Sequence, residues 1–259
     1  MSRDTRLPLS IPAWPAPKHI RAYTTLRSPG ESVNHYSAYN LATHVGDHHE
    51  HVVQNRYHLA QYANLPNDPI WLNQTHSSIA VDLDNITRDS IMTADASHTR
   101  KINTICAVMT ADCLPMLVTN EEGTEVAAIH AGWQGLSKGV IENTLSVLTS
   151  APESLLIWLG PSIQKENYEV GEEVYHAFLE EHDLSEIDAA FTKRADNKWH
   201  ADIPLLAVQR LIRYGVKKTH IYLSQQCTYA HSQDYFSFRR DGITGRMASL
   251  IFIAPVLRF

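Results

Sequence analysis

Short apolar runs, each closed by polar or chain-turning residues, alternate with amphipathic stretches along most of the chain. The runs are "IWLN" at 70–73, "TICAVM" at 104–109, "MLVT" at 116–119, "EVAAIH" at 125–130, "LLIWLG" at 155–160, "HIYLS" at 220–224 and "LIFIA" at 250–254. They are rich in aliphatic and β-branched residues and too short for helices, so they predict buried strands. Between Gly135 and Thr149, the residues Leu136, Val140, Ile141, Leu145 and Leu148 recur at helical spacing. A second helix is predicted from Asp202 to Tyr214. Asp202 can cap it, Pro204 suits its first turn, and Gly215 stops it. Further helices are predicted over Glu50–Asn64 and Gly171–Glu181. Strands that alternate with helices point to a layered α/β fold around a central sheet. The pattern leaves the strand order open.

The first 18 residues, broken by prolines, predict an irregular arm. Residues 19–259 show no repeat, linker or compositional break and predict a single domain. A net charge of -6 argues against a general nucleic-acid binder. The prolines interrupt any signal-peptide core, and no apolar stretch approaches the length of a membrane span. Three cysteines do not make a disulfide framework, so reduced thiols and a cytoplasmic location are expected.

Three potential metal ligands stand at strand ends. His76 follows one apolar run in "WLNQTHSS", Cys113 another in "VMTADCLP", and His130 ends a third in "AAIHAGWQG". In open α/β sheets, ligands gather beyond the carboxyl ends of strands. A His2Cys set with an open fourth position suits catalytic zinc, which polarises a substrate oxygen or nitrogen. Two other readings stay open. Cys113 could be a buried packing residue, or it could pair with a histidine as a nucleophilic dyad. After His130, the glycines of "HAGWQGL" could expose amides to an anion at a helix start, or merely permit a tight turn.

"QTHSS", "TADCLPMLV", "AAIHAGWQGL", "LGPSIQKENYEVGEEV" and "CTYAHSQDYFSFRRDGITGRMAS", with "YNLATHVGDHHEHVVQNR" upstream, together resemble the YfiH-type, laccase-domain family of purine nucleoside phosphorylases. The resemblance spans residues 39–249 with its motifs in order. It implies a single-domain, three-layer α/β/α fold with a central mixed sheet, shared with a group of Cys-His toxins. It also implies one zinc on His76, Cys113 and His130. The implied partners are phosphate and the nucleosides adenosine, inosine, guanosine and methylthioadenosine, with adenosine deamination as a further activity. The chain departs from the family pattern at Gln134, where arginine is common, which removes a candidate phosphate-binding charge beside the metal.

Phosphate needs guanidinium forks. Arg240 is the leading candidate, with Arg239 and Arg56 behind it and Arg246 nearby; Gln74, beside His76, is a further substrate-binding candidate. Asp112, next to Cys113, is a candidate proton shuttle for deamination. Copper is disfavoured, because a multicopper oxidase needs several His-x-His pairs and this chain has one, His49 and His51. Two alternatives remain: a hydrolase that edits peptidoglycan precursors through the same His/Cys/His site, and a binding module without turnover. The oligomeric state is not legible.

Overall fold

The computed structural model describes residues 9–86, 91–179 and 184–256, with the side chains of 184–186 excepted. Its main sheet has six strands in the order Ile221–Leu223, Leu155–Leu159, Leu114–Asn120, Val126–Ala131, Ala96–Thr99, Ala80–Asp82. The two outer pairs are parallel and the inner three antiparallel, so the sheet is mixed. A second, antiparallel sheet orders Leu9–Ser10, Ile20–Thr25, Met247–Ile253 and Ile105–Thr110. A small third sheet joins Phe191–Lys193, Trp199–Ala201 and Glu169–Val170.

The two-residue period of the strands assigns each side chain to a layer. Leu114, Met116, Val118, Ile129 and Ile157 face one way, onto the helices Val140–Ser146 and Ile203–Tyr214. Leu117, Val126, Ala128 and Trp158 face the other way and meet Cys106, Val108 and Ile251 of the second sheet. The far face of that sheet, with Ile105, Ala107, Leu250 and Phe252, is covered by Leu59 of the helix His49–Tyr62 and by Tyr39 and Leu41. The layers therefore run α/β/α, with the middle β layer made of two sheets packed face to face. Each fully buried side chain such as Leu117 contributes about 1.5–3 kcal/mol through removal from water.

Most predicted elements are present. Asp202 caps its helix, accepting the Leu205 N–H at 2.9 Å, and Gly215 ends it at φ 108°. Others differ for physical reasons. The single helix predicted over 135–149 is two, Trp133–Ser137 and Val140–Ser146, because Gly139 sits between them in a left-handed conformation at φ 84°. "IWLN" forms only isolated bridges, Ile70 to Cys106 and Asn73 to Thr93, and runs along the second sheet rather than in it. The helix expected over 171–181 is Glu172–Leu179, and positions 180–181 lie outside the described residues. Within the segment expected to be irregular, Leu9 and Ser10 pair with Thr25 and Thr24. The Ile20–Thr25 and Ala96–Thr99 strands escaped prediction because "IRAYTT" and "ASHT" carry no apolar run, although the second is buried throughout.

Candidate metal centre

Strand register brings Cys113 to His130. The strands Leu114–Asn120 and Val126–Ala131 form an antiparallel hairpin in which Leu114 faces Ala131 and Pro115 faces His130. Cys113, the residue before the first strand, thus lies beside the end of the second. Cys113 is also a corner, since the preceding strand Ile105–Thr110 belongs to the second sheet. The chain crosses from one sheet to the other through Ala111, Asp112 and Cys113, with Asp112 left-handed at φ 88°. The site therefore occupies the seam between two sheets. It is not the crevice beyond a parallel sheet that the strand-end argument predicted.

His76 arrives on a loop folded around a carboxylate. Asp95, fully buried, accepts hydrogen bonds from the backbone N–H groups of Thr75, His76 and Ser77 at 3.2, 3.0 and 2.6 Å, and from the Ser77 hydroxyl at 2.7 Å. Drawing three consecutive N–H groups onto one carboxyl requires a tight turn, and His76 takes φ 58° within it. Asp95 Oδ1 also accepts from His130 Nδ1 at 2.8 Å, and the Asp95 carbonyl accepts the His130 backbone N–H at 2.7 Å. One residue thus fixes two of the three candidate ligands. It also fixes a proton on His130 Nδ1, because an ionised carboxylate can only accept.

The ligand atoms of His76, Cys113 and His130 lie within 4.8 Å of one another, with Cys113 Sγ 3.8 Å from His76 Nε2. Tetrahedral zinc with nitrogen and sulfur ligands separates neighbouring donor atoms by about 3.5 Å. The set closes on such an ion with small side-chain movements. A carboxylate behind a ligating histidine, as Asp95 stands behind His130, orients the ring and makes it a stronger donor to a metal. Among the described residues this is the only group of three or more His, Cys, Asp or Glu gathered in this way. The space for an ion is kept by Gly132, where a Cβ would stand 2.6 Å from His76 Cδ2 and 3.2 Å from Cys113 Sγ. That packing explains the glycine of "HAGW". The helix beginning at Trp133 has only five residues.

The electrostatics agree with this geometry. Burial alone would raise the Cys113 thiol, but the charge of His130 and hydrogen bonds from both histidines outweigh it and lower its pKa. Burial alone would lower His130, but the Cys113 charge and the Asp95 hydrogen bond raise it. Burial also opposes ionisation of Asp95, and the hydrogen bonds from His130 and Ser77 overcome it, holding the carboxyl well below the usual range. The cluster is therefore built to hold a thiolate beside nitrogen donors.

The three residues open onto a cavity of about 270 Å³, whose other walls include His44, Gln74, Met109, Phe238 and Arg246. A larger cleft of about 720 Å³ adjoins it, sharing His44 and Met109 and lined further by Arg56 and Trp71.

The other predicted site residues fall in different places. Gln74 lines the cavity, but its amide is bound at both ends to Met109, accepting from its N–H and donating to its carbonyl, each at 2.8 Å. It ties the His76 loop to the second sheet. Asp112 is 7% exposed and accepts from the Thr228 hydroxyl at 2.7 Å, the Ser237 hydroxyl at 3.0 Å and the Arg239 backbone N–H at 2.7 Å. Arg240 donates to the carbonyls of Thr228, Tyr229 and Tyr235 and to both oxygens of Asp241, which occupies all five N–H groups. Arg239 donates to the Glu169 carbonyl and stands 5.2 Å over the Tyr168 ring. Arg56 donates to the Leu41 carbonyl and stacks 4.2 Å over Trp71 in the adjoining cleft. Neither Arg239 nor Arg240 lines the metal cavity. Sequence reasoning missed Asp95, His44 and Phe238. Asp95 could have been found only from register, since it precedes a strand in which Ala96 pairs with Ile129.

Residues 21–254 match the family described as multi-copper polyphenol oxidoreductase laccase. The protein named purine nucleoside phosphorylase YfiH of Escherichia coli is 45% identical to this chain, covering 95% of it and 98% of the relative. A purine nucleoside phosphorylase of Haemophilus influenzae is 40% identical, with 93% and 97% covered. Among solved structures, a Neisseria meningitidis protein superposes with a TM-score of 0.90 at 40% identity, covering 96% of this chain and all of that one. A Bacillus licheniformis YfiH structure gives 0.87 at 26% identity, with 97% and 98% covered.

Proposed function

The chain belongs to the multi-copper polyphenol oxidoreductase laccase family, and from that premise we propose that it is a zinc-dependent purine nucleoside phosphorylase of the cytoplasm. The observation that carries the reading is the convergence of His76, Cys113 and His130, backed by Asp95, on a small-molecule cavity. The names of the relatives supply the substrate class: purine nucleosides and phosphate. The donor set favours zinc over copper. One thiolate and two imidazoles satisfy a single tetrahedral ion with a corner to spare, whereas an oxidase of the multicopper type needs several ligand groups.

Phosphorolysis joins C1′ of the ribose to a phosphate oxygen as the C1′–N9 bond breaks, and the departing purine gains a proton. Zinc held by the three residues would act as a Lewis acid, polarising a substrate oxygen or nitrogen at its open corner. The protein does the rest by positioning. Asp95 holds the Nδ1 proton of His130, so that Nε2 would be the atom offered to the ion. Gly132 leaves the ligands room. Asp112 serves as an anchor for the wall formed by 228–239, because its acceptor oxygens are already engaged. The cavity of about 270 Å³ falls just below the ~300–1,000 Å³ typical of small-molecule sites, and the adjoining cleft extends it.

The test is incubation of zinc-quantified protein with inosine or adenosine, with and without phosphate, and separation of the products. Free base and ribose 1-phosphate that form only with phosphate support the proposal. Inosine from adenosine without phosphate would make deamination the activity. Intact nucleosides under all conditions would remove the reading.

A further inference from the structure

The site described so far has a place for an ion and a substrate but no assigned place for an anion. Gln134, close behind His130 in the chain, does not line the cavity. Of the three arginines favoured from sequence, Arg240 is fully engaged, Arg239 lies outside the cavity lining, and Arg56 lines the adjoining cleft with its Nε bound to the Leu41 carbonyl. One guanidinium does stand in the cavity wall, that of Arg246.

We propose that Arg246 is the anion-binding residue of this cavity, seating the inorganic oxyanion that attacks the bound substrate; this rests on the phosphorylase reading above. Donor accounting carries the argument. Arg246 Nη1 donates to the carbonyls of Thr244 at 2.9 Å and Gly245 at 3.0 Å. Among the described residues, Nε and Nη2 donate to nothing, and no carboxylate pairs with this side chain. Nε–H and Nη2–H lie on one edge of the guanidinium and form the fork that grips two oxygens of a tetrahedral anion. Arg240, six residues earlier, presents no free N–H at all.

The residue is also pre-positioned. Its backbone N–H is held at 2.9 Å by Oδ1 of Asn40, a buried side chain that in turn donates to Asp47 at 2.9 Å. Its guanidinium carbon lies 5.9 Å from the centre of the Phe238 ring, which is 58% exposed and lines the same cavity. His44 stands in the same wall, and the cavity lining includes no Asp or Glu. A half-buried cation with one donor edge free, held in the wall of a candidate metal site, is suited to a small oxyanion such as phosphate, arsenate or sulfate.

The experiment is calorimetric titration of inorganic phosphate into zinc-loaded wild-type protein and into Arg246→Met and Arg246→Lys, with zinc content and circular dichroism measured for each. Wild type is expected to bind phosphate, and Arg246→Met to bind it at least about tenfold more weakly, the loss expected for a charged hydrogen-bonding partner. Unchanged phosphate affinity in Arg246→Met, or no phosphate binding by wild type, would overturn the proposal. If Arg246→Met does not fold, Arg246→Lys carries the test. It keeps a charge and can still reach the two carbonyls, but it cannot present a fork. Its KM for phosphate should rise several-fold while its KM for the nucleoside stays; an unchanged KM for phosphate overturns the proposal. Phosphate affinity that depends on Arg246 in a protein that leaves nucleosides intact would keep the anion site and remove the phosphorylase. Turnover with phosphate affinity indifferent to Arg246 would do the reverse.

Discussion

Asp95 and Asp112 are both buried carboxylates at the seam between the sheets, and each gathers several hydrogen-bond donors. They differ in what they hold. Asp95 grips the backbone of one candidate ligand and the ring of another. Asp112 grips Thr228, Ser237 and the Arg239 backbone, which form a wall and no part of the ligand set. The carboxylate next to the cysteine in sequence thus holds no member of the candidate ligand set, and Asp95, 18 residues before that cysteine, holds two of them. Adjacency in the chain is a poor guide to roles at a site assembled from three loops.

Three substitutions and one proton measurement can break or sharpen that contrast. Asp95→Ala should have the largest effect. It strips the acceptor from His130 and from three loop N–H groups, costs about 3–5 kcal/mol of stability and lowers metal affinity about 10–100-fold. Chemical denaturation and competition with a chelating dye measure the two losses. Asp112→Ala should cost about 2–4 kcal/mol, because three donors lose their acceptor, yet zinc should stay near its wild-type content. Equal loss of zinc in the two variants would erase the distinction between the aspartates. Gly132→Ala comes next: its Cβ would press on His76 and Cys113, so zinc content should fall while the thermal midpoint moves little.

The smallest effect concerns protons. In the metal-free protein the thiol pKa is lowered and the imidazole of His130 raised, so near pH 7.5 the pair favours thiolate and imidazolium. A metal needs neutral His130, so binding should release about one proton, detectable by calorimetry in buffers of different ionisation enthalpy. The sign follows from the shifts. Release should decline as pH rises through the raised histidine value, and affinity should fall at acid pH as the thiolate is protonated. Proton uptake on binding at pH 7.5 would contradict the assignment.

Legibility from sequence tracked how local each signal is. The helix Ile203–Tyr214 was readable because its cap, its first-turn proline and its stop all lie within one short stretch. The three metal candidates were readable as residue types at strand ends, but their meeting depends on hairpin register and on a crossover between sheets that no spacing encodes. Gly139 was hidden for a related reason: the apolar spacing continues straight through the break that its left-handed backbone makes. Asp95 gives no local sign, since "TADASHT" reads as a polar loop and is instead buried beside His130. The arginines could not be ranked from sequence. Guanidinium type and proximity in sequence selected Arg240, and only the structure shows that its donors are all occupied within the protein.

The most direct test of the whole account is elemental analysis by mass spectrometry of protein purified without chelator or added metal, for the wild type beside Cys113→Ser. About one zinc per chain in the first and near none in the second is the predicted result. Zinc content indifferent to Cys113, or several copper ions per chain, would contradict it.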